Sequence, residues 1–306
     1  MIKPMNAFGV DVACLGNHDF DLGLKQLRLR VVTCDFPWLL SNVKNVHDDS
    51  PMCGSKEYHI LERAGMRIGF LGLAEKDWVK HMPDKILKKM KYESYEECCN
   101  RLVGFLRNEE KCDMVIGLTH MRTNNDTNLA ETYDGLDLIL GGHDHIICKN
   151  LINGTWVAKS GCEFRNFHVI DINKSSNPNS KDLYKGKYEI DFNLIEVNSE
   201  WKPDEELTKH IEEYEKIKQE KYGLPLLYTE VPLVTNFAKI RTSEQNLPNL
   251  MVDILRIAKD TDIALLNNGT FRSDCLFDKG IMTIGDLRQI IPFIDLVFVL
   301  KATGEQ

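Results

Sequence analysis

Three apolar runs in this chain each end in a polar cluster that carries histidine, and this recurring ending constrains the fold more than any other feature. Val10 to Leu15 leads into Gly16-Asn17-His18-Asp19-Phe20-Asp21. Asp113 to Leu118 leads into Thr119-His120, and Leu136 to Leu140 leads into Gly141-Gly142-His143-Asp144-His145. Short apolar runs bounded by turn signals read as buried strands. Histidines at the carboxyl ends of such strands lie along the edge where open α/β sheets bind ligands. Four of the nine histidines occupy these positions. His, Asn and carboxylate oxygens suit divalent metals, and glycine lets the backbone approach closely. A single histidine of this kind most simply caps a turn; three clusters together point to a metal site. His47, His59, His81, His168 and His210 have no such context and read as surface or packing residues.

The elements between the clusters favour an α/β layer architecture. Arg67 to Leu73 reads as a further buried strand. Tyr95, Cys98, Cys99, Leu102, Phe105 and Leu106 then share one face at helical spacing. Strand, helix and strand in succession predict α/β layers. Residues 173 to 187, rich in Asn, Ser, Lys and Gly, read as a surface loop between strands at Phe167 to Ile172 and Tyr188 to Val197. A charged helix is expected from about Asp204 to Tyr222, with Asp204 as its N-cap and Leu207, Ile211, Tyr214 and Ile217 as its apolar stripe. Beyond the break at Gly223-Leu-Pro225, another helix carries Leu247, Leu250, Met251, Ile254, Leu255 and Ala258 on one face. Asp262 to Asn267 reads as a strand. The expected domains are 1–200, a connecting helix and linker over 201–226, and a second domain over 227–306.

The 306 residues suit about two domains. Lys plus Arg number 38 against 46 Asp plus Glu, a net charge of −8, which argues against a nucleic-acid polymer as partner. No apolar run approaches the roughly 18 to 20 residues of a membrane span. The nine cysteines are scattered, with no Cys-x-x-Cys pair, and the opening Met-Ile-Lys-Pro-Met-Asn lacks a signal-peptide core. The expectation is a cytoplasmic protein. No cysteine lies in the histidine clusters, which disfavours a closed structural zinc site.

Gly-Asn-His-Asp and Gly-Gly-His-Asp-His, in this order around Thr119-His120, resemble the metallophosphoesterase motifs of the 5′-nucleotidase family. The downstream half extends the resemblance. Arg241, Glu244, Asn246 and Asn249, then Asn267 to Arg272, then Ile281 to Leu287 with Gly285 and Asp286, and finally Pro292-Phe293 resemble its C-terminal domain. The resemblance implies a four-layer α/β/β/α metallophosphoesterase sandwich with a second, partial α/β substrate-binding domain. It implies two divalent metal ions (Zn, Mn, Mg or similar), which clamp the attacking and leaving oxygens of an in-line displacement. By the same resemblance Asn17, His120 and His143 would hold one metal and His145 the other. His18 would be the catalytic histidine, with Asp21 as its orienting partner. Asp19 and Asp144 would support the turns. Arg241 and Arg272 would bind substrate, Asn267 would contact a base, and Phe293 would stack on it.

The family pattern also calls for Asp-x-His and Gly-Asp upstream of Gly16, and neither occurs in the 15 residues that precede it. The carboxyl-terminal domain is short by the same measure. Three readings follow: part of a working enzyme, a metal-poor homologue, or a chain completed by another. The function expected is hydrolysis of a small phosphomonoester, a nucleoside monophosphate by default. A sugar phosphate, cyclic nucleotide or nucleotide-sugar is an alternative substrate, and a non-catalytic nucleotide-binding protein is the rival from another class.

Overall fold

The computed structural model describes residues 2–174, 188–293 and 295–304, so the loop expected over 173–187 lies almost wholly outside the described residues. Two compact units divide after Lys202.

The first unit runs α1 (Ile2–Ala7), β1 (Ala13–Cys14), a 3-10 turn at Asn17–Phe20, α2 (Gly23–Thr33), β2 (Trp38–Leu39) and β3 (Val43–Asn45). It continues with β4 (Tyr58–Arg63), β5 (Met66–Ala74), α3 (Lys76–Lys80), α4 (Asp84–Leu87), β6 (Met90–Tyr92) and α5 (Tyr95–Asn108). Then come β7 (Met114–His120), α6 (Thr123–Thr132), β8 (Leu138–Gly141), β9 (Ile147–Ile152), β10 (Thr155–Ser160), β11 (Asn166–Lys174) and β12 (Tyr188–Glu196). The central sheet has six strands in the order β4-β5-β7-β8-β10-β9. Its inner strands β5, β7, β8 and β10 are parallel, and the edge strands β4 and β9 run antiparallel to their neighbours. The strand–helix–strand unit β7-α6-β8 supplies the crossover that parallel pairing needs.

The inner strands are buried on both faces, which is why their sequences read as unbroken apolar runs. Side chains alternate between faces along a strand. Leu71, Leu73, Val115, Ile139 and Val157 pack with Cys98, Cys99, Leu102, Val103 and Leu106 of α5 and with Leu129 and Ala130 of α6. Their neighbours Phe70, Met114, Ile116, Leu138 and Ala158 pack on the other side with Leu39 of β2 and with Tyr188 and Phe192 of β12. The expected mixed α/β fold is present, with the antiparallel β11-β12 hairpin and the short β1-β2 pair beyond the main sheet. A third cluster joins Leu15, Phe20, Leu27 and Val31 to Trp78 and Val79, so α2 and α3 share a core beside the first histidine turn. Helix α5 starts at a capping box: the Glu97 amide donates to Ser94 Oγ and the Ser94 amide to the Glu97 carboxylate, both at 3.2 Å.

The second unit comprises α7 (Glu205–Tyr222), β13 (Pro225–Thr229), β14 (Leu233–Val234), α8 (Phe237–Ile240), α9 (Asn246–Lys259), β15 (Leu276–Phe277), β16 (Gly280–Thr283) and α10 (Ile284–Ile290). The pairs β13-β16 and β14-β15 are antiparallel, around a small core of Leu233, Ile240, Leu247, Phe271, Met282 and Ile290. Asp204 caps α7 by accepting from the Glu206 and Leu207 amides. That helix groups with the second unit, and the Arg288 guanidinium of α10 lies 4.6 Å from the Tyr222 ring centre.

One element differs from expectation. Asp262 to Asn267 forms no strand: it has no ladder partner among the described residues, and Ile263 and Leu265 are 75% and 91% exposed. An apolar run becomes a strand only when a neighbour takes its backbone N–H and C=O groups. The apolar stripes of the two long helices also lie largely open, since Ile211, Tyr214, Ile217, Leu250 and Ile254 are all exposed.

Candidate functional site

The clusters after β7 and β8 meet at one edge of the central sheet, because parallel strands end on the same side, and the turn after β1 of the separate β1-β2 pair reaches them through Asn17 and His120. The Gly16 amide donates to Asp19 Oδ2 at 2.8 Å, which closes the tight turn carrying Asn17 and His18. A Cβ on Gly16 would stand 2.6 Å from His120 Cε1, so this position requires glycine to admit the imidazole. His120 is the last residue of β7. Its carbonyl accepts a hydrogen bond from the Trp78 indole at 2.8 Å, and its Nε2 lies 2.7 Å from Asn17 Oδ1. His143 follows β8 in the left-handed region, at φ 80°, and places Nδ1 3.1 Å from His120 Nε2. A non-glycine residue held at positive φ in a polar loop is a mark of a functional turn.

Asn17 Oδ1, His120 Nε2 and His143 Nδ1 are donor types that could hold one divalent ion. Two ligand atoms about 2.1 Å from a common metal lie roughly 3 to 3.4 Å apart, close to the His120–His143 separation. Burial, with the neighbouring His143, His18, Lys159 and His145 charges, pushes His120 down to about 3. Burial likewise lowers His143, while Glu75 opposes it. Neutral imidazoles are the form that ligates metal. The sequence-expected ligand of the other metal, His145, is exposed at φ 58° two residues along the same loop, and its charge reaches His120. Among the described residues no group of three His, Cys, Asp or Glu side chains gathers at metal-holding spacing.

His18 projects from the first turn with Nδ1 3.0 Å from Asp21 Oδ2, and both side chains remain open to solvent. Asp19 closes the turn, as described, and Asp144 anchors the loop. Asp144 accepts from the Thr123 amide and hydroxyl at 2.6 Å and from Lys159 Nζ at 2.6 Å. Burial alone would raise Asp144, but the Lys159 and Thr123 hydrogen bonds bring it down to about 2.

Sequence reasoning missed two residues that hold this edge together. Lys159 of β10 is buried, donates to the Met121 and Gly142 carbonyls at 2.8 and 2.9 Å, and pairs with Asp126 at 2.9 Å. It thus ties the loops that follow β7 and β8. A Cβ on Gly141 would stand 2.7 Å from Lys159 Cε, which explains the glycine. A lone lysine in an apolar run, Trp156-Val-Ala-Lys159, was the available signal. Glu75 follows Ala74, the last residue of β5, and is 1% exposed beside His143. It stands at a fourth strand end, without a glycine or histidine to advertise it.

In the second unit the expected substrate residues cluster around the small core. Asn267 Oδ1 accepts from the Gly269 amide at 2.8 Å and caps the turn. Asn268 donates to the Ile240 carbonyl, which joins that turn to the end of α8, one residue before Arg241. The Arg241 guanidinium lies 4.5 Å from the Phe237 ring centre, and that of Arg272 lies 5.4 Å from Phe293. Each guanidinium is therefore laid on an aromatic face, which limits its freedom. Phe237 is a supporting residue that the sequence did not mark.

The family model for calcineurin-like phosphoesterases matches residues 2–146, and that for the 5′-nucleotidase C-terminal domain matches residues 226–306. The trifunctional nucleotide phosphoesterase protein YfkN of Bacillus subtilis is 26% identical over 357 residues, covering 100% of this chain and 23% of that protein. A 5′-nucleotidase of Vibrio vulnificus is 24% identical over 348 residues, covering 99% of this chain and 62% of its own length. The chain thus spans less than two-thirds of each relative. A 5′-nucleotidase precursor from Thermus thermophilus shares the fold, with a TM-score of 0.78 at 20% identity, over 94% of this chain and 59% of that one. Both family models thus match in order along the chain, the calcineurin-like phosphoesterase model over the sheet that carries the histidine clusters and the 5′-nucleotidase C-terminal model over the arginine-bearing unit, and in both units the chain is similar to the 5′-nucleotidase family.

Proposed function

We propose that the chain is a metal-dependent hydrolase of the 5′-nucleotidase type, acting on a nucleoside monophosphate or a related small phosphate ester. The observation that carries this reading is the convergence of Asn17 Oδ1, His120 Nε2 and His143 Nδ1 at one sheet edge, beside a histidine backed by a carboxylate. Divalent ions, when bound, would supply activated water and offset the charge of the phosphate. Asn17, His120 and His143 would hold one ion and His145 would contribute to the other. His18, oriented by Asp21, would stabilise negative charge on the phosphoryl group or leaving oxygen. Arg241 and Arg272 would grip the rest of an anionic substrate, with Asn267 and Phe293 at a base.

Phosphate release from an aryl phosphate in the presence of Mn²⁺ tests the reading. His18→Ala should lower kcat by about 100-fold or more. Equal rates for wild type and variant would remove His18 from the chemistry. Nucleotide binding that persists without metal uptake or turnover would instead favour a binding protein.

A further inference from the structure

We propose that Glu75 sets the tautomer and orientation of His143, accepting a hydrogen bond from its Nε2–H so that Nδ1 turns its lone pair toward Asn17 and His120. The inference rests on the metal-site reading above and extends it to a residue outside the expected set. The Glu75 side chain is 1% exposed. Its Oε2 accepts from the Arg122 amide at 2.8 Å and from Asn125 Nδ2 at 2.6 Å. Its Oε1 makes no hydrogen bond among the described residues, with Arg122 Nη1 at 3.2 Å and His143 Nε2 at 3.4 Å. A buried carboxylate oxygen is costly to leave unsatisfied. The His143 N–H reaches it with a small rotation of the ring.

The opposite side of the same ring shows why the tautomer matters. Nδ1 lies 3.1 Å from His120 Nε2, within the group of donors. A proton on Nδ1 would block that donor, whereas a proton on Nε2 frees it. Metal-binding histidines usually give their remote N–H to a carboxylate or carbonyl, and this fixes the ring and raises its basicity. Glu75 is itself held: Arg122 Nη1, 3.2 Å from Oε1, also contacts Asp77 Oδ2 at 3.0 Å. Asp21 stands in the same relation to His18, 3.0 Å from its Nδ1. Two histidines of this edge, on different loops, are therefore each backed by an acid. Glu75 is a positioning residue, acting through His143.

The test uses the full metal-free chain with ¹⁵N-labelled histidine at pH 7.5, read by long-range ¹H–¹⁵N NMR. Wild-type His143 should carry its proton on Nε2. Glu75→Gln, which preserves shape, should raise the Nδ1–H form to a comparable population. In calorimetric titration the same variant should bind Mn²⁺ about 10- to 100-fold more weakly. A proton on Nδ1 in the wild type, or an unchanged tautomer ratio in Glu75→Gln, would overturn the proposal. The wild-type measurement decides even if the variant fails to fold. A merely structural role for Glu75 would lower stability and leave the tautomer alone. Because the readout needs neither metal nor substrate, an inactive chain with the Nε2–H form would defeat the hydrolase reading and leave this one standing.

Discussion

His120 is surrounded by groups that disfavour its charged form, and the consequence for stability has a definite sign. Its folded pKa, about 3, lies below the ordinary value of 6.5. Between those values the unfolded chain binds a proton that the folded chain refuses. The metal-free protein should therefore lose stability as pH falls from 6.5 toward 3, with this residue contributing a slope of at most about 1.4 kcal/mol per pH unit. Above 6.5 the contribution is flat. Urea midpoints at pH 7 and pH 5 should differ less for His120→Gln than for the wild type; an equal or larger difference in the variant would contradict the assigned environment. The identities of the site histidines were legible in the sequence because each follows an apolar run. Their acid partners were legible only when local. Asp21 stands three residues from His18, whereas Glu75 stands 68 residues from His143 in the chain and meets it through sheet pairing.

At the scale of elements, the strands and loops of the sheet edge serve the site, while α5 serves the core behind it. Ser94→Ala removes the capping box of α5 and should cost about 1 kcal/mol in urea unfolding, with metal affinity unchanged. Gly141→Ala should behave differently. Its Cβ meets Lys159 Cε at 2.7 Å and Asp126 Oδ2 at 2.9 Å, so the loop or the lysine must move. Overpacking of this kind costs about 1–3 kcal/mol, and here it should also weaken Mn²⁺ binding, because Lys159 holds the Gly142 carbonyl and Asp144. A Gly141→Ala protein with wild-type Mn²⁺ affinity would show that the lysine does not position the histidine loop. The contrast between α5 and residues 262–267 follows from the same physics. A helix satisfies its own backbone, and a capping box signals its start locally. A strand depends on a partner that its own sequence does not name.

The whole molecule comprises two units with separate cores and separate candidate roles. Divalent metal should therefore act on one of them. At about 100 times its dissociation constant, Mn²⁺ should stabilise the first unit by about 2.7 kcal/mol, and a chelator should reverse this. Hydrogen exchange should slow in the peptides around residues 13–21, 117–121 and 141–146, with residues 237–290 unaffected; equal protection in both units would contradict the assignment of the metal donors to the first. The net charge of −8 fits a small anionic substrate met by local cationic groups without a basic surface.

The sequence by itself determined the α/β class, the strand-end placement of Asn17, His18, His120, His143 and His145, the apolar faces of α5 and α9, the span of α7, and the likeness to one family. Those features are written in local spacing: apolar period, caps, and glycines beside histidines. Tertiary structure alone decided which donors touch, that Lys159 ties the histidine loop and Glu75 lies beside His143, that Phe237 and Phe293 lie under the arginines, and that Asp262 to Asn267 has no ladder partner among the described residues. Contacts between residues far apart in the chain arise from strand order and from which groups must be satisfied on burial, and neither is recorded in the spacing of the residues themselves.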